Sequence, residues 1–194
     1  MDTLKDWLFA FWKIISRPSA GTFCELAERA EDKLGSSIAW ATSTGILVLV
    51  SIYSLYRDSF RPLELITDII YGIIAFPLLL LVWVFCVRLV AVKVFGQEQI
   101  SYDALLFAFT SIFVVWWTAL IVISLVPVGI IEILTGIVYF YGLFLAVIAV
   151  KAIARLRLWQ AIITVVLGTL LSGVGWGCLL YFVLSLINTV PKVF

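Results

Sequence analysis

Long apolar runs alternate with short charged segments along most of this sequence. Residues 38–56, 69–87 and 104–131 contain no Asp, Glu, Lys or Arg, and a last uncharged run covers residues 158–191. A helix crosses a bilayer with about 20 mainly apolar residues, so each run is long enough for at least one crossing. The pattern therefore predicts an all-α, polytopic integral membrane helix bundle.

The apolar runs divide into five predicted spans. Pro127 lacks a helix N–H and Gly129 tolerates positive φ, so we predict that the third span ends near Val126 and that the chain turns tightly at 127–129. The last run exceeds one crossing at about 1.5 Å per residue, so it must tilt, bend, split into two crossings or leave the membrane before Pro191. The predicted spans lie at residues 38–56, 66–95, 104–126, 130–150 and 159–187.

The pattern of apolar and polar positions in residues 1–37 predicts two short amphipathic helices, cytoplasmic or interfacial. They precede a transmembrane domain at residues 38–194. Thr22-x-x-Glu25 is a capping-box pattern that begins the second helix. In the first helix the apolar side chains fall on one arc of roughly 160°, with Phe9 as the exception. Such an arc fits a helix in the membrane interface, or one packed against the ends of the bundle. The arc comprises Leu4, Trp7, Leu8, Phe11, Trp12, Ile14 and Ile15.

Composition and charge support a membrane location and indicate an orientation. Hydrophobic residues make up 64% of the chain and charged residues 13%, against about 45–50% and 25% in soluble domains. The net charge of +1 gives no sign of a nucleic-acid partner. Cations concentrate on one side of the predicted spans, which predicts a cytoplasmic N-terminus. Ten of the 13 lie on that side: Lys5, Lys13, Arg17, Arg29, Lys33, Arg88, Lys93, Lys151, Arg155 and Arg157.

Two charged residues inside the predicted spans are candidate intramembrane polar sites. A charge in mid-bilayer costs about 2.5–3.5 kcal/mol on insertion scales, so Arg88 and Glu132 are functional candidates. Each also lies within a few turns of a predicted span end, where a long side chain can reach the headgroups. Two interpretations fit: interfacial snorkelling, or part of an ion or proton path.

Small residues and tryptophans supply the other candidate sites. Small residues four positions apart share a helix face and allow close backbone approach. We therefore predict helix-packing or oligomer contacts at Gly142, Ala146, Gly168, Ser172, Gly173 and Gly177. Tryptophan favours the membrane–water interface, which predicts interfacial anchors at Trp7, Trp12, Trp40 and Trp159.

The sequence offers little for catalysis. It contains no histidine, so the usual general base and commonest metal ligand are missing. Cys24, Cys86 and Cys178 are far apart and fit no metal-ligand spacing. No nucleophile–base pair is evident either. We therefore predict a protein that is not an enzyme and has no cofactor or metal.

Several segments together resemble the Yip family, the Ypt/Rab-GTPase-interacting membrane proteins. They are YDALLFAFTS at 102–111, SLVPVG at 124–129 and GIVYFYGLFLAVIAVKAIARL at 136–156, followed by Trp159-Gln160-Ala161. The opening RPSAGTFCEL at 17–26 is similar to the prokaryotic branch. The resemblance implies five spans, a cytoplasmic N-terminus and a prokaryotic inner or thylakoid-type membrane. The chain lacks a DLYGP-type motif, which argues against a small-GTPase partner.

Two functional hypotheses follow from these features. The leading one is a non-enzymatic membrane scaffold or accessory subunit that binds membrane protein partners, or copies of itself, within the lipid bilayer. The alternative is a small transporter, channel or lipid-translocating protein. A scaffold predicts a tightly filled bundle with small residues at helix contacts. The alternative predicts a continuous polar or lipid-sized groove that reaches Arg88 or Glu132.

Overall fold

In the computed structural model, the described residues are 2–30, 42–43, 45–46, 62–124 and 128–189, with side chains described for 5–30, 42–43, 45–46, 77–123, 130 and 133–177. This part of the chain contains helices and no strand, which confirms the all-α prediction for it. Its helices are α1 (Asp2–Ser16), α2 (Ala20–Arg29), α3 (Pro62–Phe95), α4 (Tyr102–Ser124), α5 (Val128–Ile153) and α6 (Leu158–Thr189).

Four of the described helices are long and apolar enough to cross a membrane. Their apolar windows are Pro77–Phe95, Tyr102–Ile123, Ile133–Ile153 and Leu158–Gly177. The architecture is compatible with a multi-pass membrane protein. The first predicted span, residues 38–56, lies outside the described residues except at four positions.

Capping residues are found at the C-terminal end of α3 and at the N-terminal ends of α4 and α6. Gly96 follows α3 with φ of 68°, and its N–H donates to the Val92 carbonyl at 3.0 Å. Positive φ is the conformation that favours glycine just after a helix. The Ser101 hydroxyl accepts from the Ala104 N–H at 3.3 Å, which caps the start of α4. Gln160 Oε1 accepts from the Arg157 N–H at 2.9 Å and closes the start of α6.

Two boundaries refine the predicted spans. Helix α5 begins at Val128, so Val128 and Gly129 belong to its first turn and not to the tight turn predicted at 127–129. A proline directly before a helix costs no helical hydrogen bond, so this start is compatible with the sequence. Helix α6 is continuous over 32 residues, or about 48 Å at the standard rise. Residues 158–189 of the last apolar run therefore form one long helix that is not split.

Helix α4 lies at the centre of the described bundle. Its residues 104–115 are buried without interruption, because α1, α2, α3 and α5 all pack against it. One core cluster joins α3, α4, α5 and α6, and a second joins α1 and α2 to α4 and α5. The turns at 96–101 and 154–157 contribute Ile100, Ala154 and Leu156 to the same core cluster. We call the end of the bundle formed by these two turns the turn end.

Candidate functional site

Helices α1 and α2 are packed against the turn end of the bundle. Ala10 and Ile14 of α1 and Phe23 and Leu26 of α2 are almost fully buried, in the cluster that also contains Phe107 of α4. The apolar arc of α1 therefore has a protein-facing side. Trp7 and Phe11, which belong to this arc, are half-buried against the same cluster.

Three other residues of the α1 arc are exposed. Leu8, Trp12 and Ile15 recur at helical spacing on the surface, and Trp12 is 67% exposed. We call these three residues the α1 stripe. The sequence allowed two interpretations of the arc, contact with lipid or contact with the helix bundle. In the structure the arc has two faces. One face packs on protein, and the α1 stripe is free to contact something else.

A cluster of charges joins α1 to α2. Lys13 Nζ lies 2.9 Å from Glu25 Oε2, and the Arg29 guanidinium lies 3.7 Å from Asp6 Oδ1 and 3.6 Å from Glu25 Oε1. The same guanidinium lies 4.0 Å from the ring centroid of Phe9. Phe9 lies outside the predicted apolar arc, where its ring contacts a cation of the neighbouring helix. A single-helix projection cannot reveal such a contact, although the cation at Arg29 is visible in the sequence.

An apolar cleft of about 210 Å³ lies among the four long helices. We call it the aromatic cleft. Counted from the turn end at 1.5 Å per residue, all its lining positions except Leu79 lie about 15–21 Å along their helices, and Leu79 lies at about 24 Å. That depth is close to the middle of a hydrocarbon core about 30 Å thick. The lining residues are Leu79, Trp83, Ile112, Phe113, Trp116, Tyr139, Gly142, Leu143 and Thr169.

Ring contacts and one hydrogen bond hold the walls of the aromatic cleft. Trp83 Nε1 of α3 donates to Thr169 Oγ1 of α6 at 3.0 Å. The Trp116 ring of α4 lies 4.8 Å from the Tyr139 ring of α5, centroid to centroid. Edge-to-face contacts of this kind add about 0.5–1.5 kcal/mol to the burial of the rings. The lining contains no charged residue and is mainly apolar, so the cleft suits an apolar group.

The predicted small-residue positions separate into inward and outward groups. A Cβ added at Gly168 would lie 2.6 Å from Val87 Cγ2 and 2.8 Å from Val87 Cα, and one added at Gly142 would lie 3.2 Å from Trp116 Cδ1. Ser172 and Ala146 are buried. Gly173 and Gly177 are exposed, and an added Cβ at either position meets nothing within 4 Å.

Arg88 and Glu132 lie far apart along the bundle. Arg88 is half-buried on α3, and its Nε donates to the Ile100 carbonyl at 3.1 Å. Glu132 lies in the second turn of α5, about 31 Å along the helix from its last residue at the turn end, and its side chain is outside those described. Arg88 lines a surface groove that shares no lining residue with the aromatic cleft. The groove at Arg88 and the aromatic cleft are therefore two separate pockets.

The remaining candidates have simpler surroundings. Trp159 is exposed at the start of α6, with its ring centroid 5.7 Å from that of Phe95. Trp40 lies outside the described residues. Cys24 and Cys86 are free thiols. Among the described residues, no group of three or more Cys, Asp and Glu side chains is placed to hold a metal ion.

These features define an all-α bundle with multi-pass membrane character, an aromatic cleft at mid-depth and two N-terminal helices docked at one end. Comparison of the chain with protein-family models, curated proteins and solved structures gives no match.

Proposed function

We propose that the protein is a non-enzymatic integral membrane scaffold or accessory subunit that binds partner membrane proteins laterally. The observation that carries this proposal is the distribution of charge in the described residues. The core clusters are apolar, and the lining of the aromatic cleft carries no charge. A transporter or channel for ions or charged solutes needs polar or charged groups along its pathway, and the buried polar side chains of the described residues are all uncharged: Thr22, Thr110, Ser111, Thr164 and Ser172.

The lateral surface of α5 is the proposed partner site within the membrane. Ile133, Ile137, Phe140 and Phe144 recur along one exposed face, and Phe140 is 76% exposed. We call these four residues the α5 face. Lipid tails are as apolar as these side chains, so association with a partner helix would depend on packing. Two phenylalanines offer large, shaped surfaces for such packing.

We also propose a membrane topology and a family for this protein. It takes the chain as a five-span protein with a cytoplasmic N-terminus, as the cation distribution and the resemblance to prokaryotic Yip proteins both predict. In this arrangement the turn end faces the cytoplasm, and the α1 stripe lies in the adjacent membrane interface. The lipid bilayer and a membrane protein, or a second copy of the chain, are then the partners.

Photo-crosslinking in the native membrane tests this function. A photoreactive amino acid replaces Phe140 on the α5 face, and a matched variant carries it at Leu170, an exposed position on α6. We expect a discrete protein-sized adduct from position 140 and lipid adducts alone from position 170. Lipid adducts alone from both positions would remove the support for a lateral partner. An adduct of twice the chain mass would identify a second copy as that partner.

Two observations favour the second hypothesis, a lipid-translocating protein. The aromatic cleft lies at mid-depth, where a moving acyl chain could lodge, and a surface groove reaches Arg88, as that hypothesis predicts. Filling the cleft through Gly142→Leu should then lower the transfer of fluorescent phospholipid between leaflets of reconstituted vesicles. The scaffold proposal expects equal, near-background transfer by the native protein and the variant. A clear loss in the variant would favour translocation.

A further inference from the structure

A second groove, distinct from the aromatic cleft, lies on the surface of α3 near the turn end. Its volume is about 260 Å³, and it is formed by the last three turns of α3 and the turn that follows. We call it the Arg88 groove. Unlike the aromatic cleft, it combines apolar walls with charged ones. Its lining residues are Phe85, Arg88, Leu89, Val92, Lys93 and Glu98.

The two cations of the groove are available to a ligand. Arg88 uses its Nε–H for the Ile100 carbonyl, which anchors the guanidinium, a group with five N–H donors in all. The ion pairs formed within the described part of the chain all belong to α1 and α2. Glu98 lines the same groove but lies in no ion pair with Arg88 or Lys93. The groove therefore carries a net charge of +1 from its three charged side chains.

Polarity changes with depth along the groove. Lys93 lies two residues before the end of α3 at Phe95, and Arg88 lies seven residues before it, or about 10 Å. Phe85 lies about one turn deeper. Phe85 and Leu89 are exposed apolar side chains. Lys93 lies nearer the turn end than either of them, and the side chain of Arg88 extends to the Ile100 carbonyl in the turn. A phospholipid has the same order of groups, with an acyl chain toward the membrane centre and a phosphate at the surface.

We propose that the Arg88 groove binds one anionic glycerophospholipid of the leaflet at the turn end. Its phosphate lies between Arg88 and Lys93, and an acyl chain lies along Phe85 and Leu89. The planar guanidinium suits a phosphate oxygen pair, while the ammonium acts as a compact point charge. A lipid with one net negative charge neutralises the groove, and Glu98 accepts a hydrogen bond from a headgroup hydroxyl. This proposal is independent of the lateral partner proposed above.

Native mass spectrometry of the full chain in mild detergent tests the site with phosphatidylglycerol as the probe. We expect one retained phosphatidylglycerol, and about five-fold weaker retention in Lys93→Gln, as expected for one cation near a lipid surface. The matched control is Lys151→Gln, which removes a positive charge from an exposed side chain at the same end of the bundle but outside the groove. We expect that control to retain the lipid as the native protein does.

Four results would overturn the proposal, each for a different reason. Equal weakening in Lys93→Gln and Lys151→Gln would indicate diffuse attraction between cations and lipid. Phosphatidylcholine retained as well as phosphatidylglycerol would indicate an apolar groove without headgroup recognition. Displacement of the lipid by inorganic phosphate would identify a free-anion site. No retained lipid in the native protein would remove the site altogether. Lys93 is an exposed side chain, so its variant should keep the native fold even if Arg88→Gln does not.

Discussion

At the scale of single residues, Gly168 sets the distance between α3 and α6. The pairs 168/172 and 173/177 have the same small-residue spacing, so spacing alone could not rank them. The two pairs start five residues apart, which places them about 140° apart around a helix. Only one can then face α3, and the structure places Gly168 against Val87 of α3, with Ser172 of the same pair buried. The rotation of α6 depends on its whole packing face, which no local motif specifies.

The first prediction is that Gly168→Ala destabilises the protein and Gly173→Ala does not. The added methyl group at Gly168 meets the backbone of Val87, so the two helices must separate, at a cost of about 1–3 kcal/mol. Gly173 faces open space, so its substitution fits without strain. Thermal unfolding of both variants in the same detergent checks this. Equal melting temperatures for the two variants would mean that the α3–α6 contact is not tight.

At the scale of elements, α1 shows how far a helical pattern can be interpreted. The sequence predicted an amphipathic helix with a wide apolar arc, and a helix is found at Asp2–Ser16. The sequence alone could not show which residues of the arc contact protein and which are exposed, because this depends on where α4 and α5 lie. Phe9 and Arg29 are far apart in sequence and adjacent in space. Their contact follows from the packing of α2 against α1.

Our second prediction is that Arg29→Ala loosens α1 from the bundle more than Lys5→Ala does. Arg29 contacts Asp6, Glu25 and Phe9, whereas Lys5 is exposed. An exposed ion pair contributes about 0–1 kcal/mol and a cation over an aromatic ring about 0.5–1 kcal/mol. Hydrogen exchange of the α1 amides should therefore accelerate several-fold in Arg29→Ala alone. Unchanged exchange would show that apolar contacts suffice to hold α1.

The third prediction places the α1 stripe in lipid. A nitroxide attached to Trp12→Cys should collide more with oxygen than with a nickel chelate, because oxygen concentrates in the bilayer. The native cysteines are replaced first. The matched position is Glu28→Cys on α2, an exposed polar site that should show the reverse preference. If the label at position 12 is as accessible to the nickel chelate as the label at 28, the stripe lies in water or contacts a protein partner.

At the scale of the whole molecule, the apolar runs predicted the long helices. The predicted spans at 66–95, 104–126, 130–150 and 159–187 begin and end within a few residues of α3 to α6. The aromatic cleft could not be predicted from the apolar runs. Its walls come from four helices, and their facing sides depend on mutual rotation. Depth arithmetic does place Trp83 and Trp116 at similar levels, so the sequence contained part of the signal. Nothing in the sequence indicated that the two rings line the same cleft.

The last prediction concerns topology: five spans with the N-terminus in the cytoplasm. Ten of the 13 cations lie on the N-terminal side of the predicted spans, and this bias sets orientation in the membrane. An odd number of crossings places the two ends of the chain on opposite sides. In a cysteine-free background, Ser36→Cys should react with an impermeant thiol reagent only from the cytoplasm, and Thr189→Cys only from outside. Permeabilised cells, in which both positions react, control for buried thiols. Reaction of both from one side would require an even number of spans, and the 38–56 run or α6 would then have to be assigned differently.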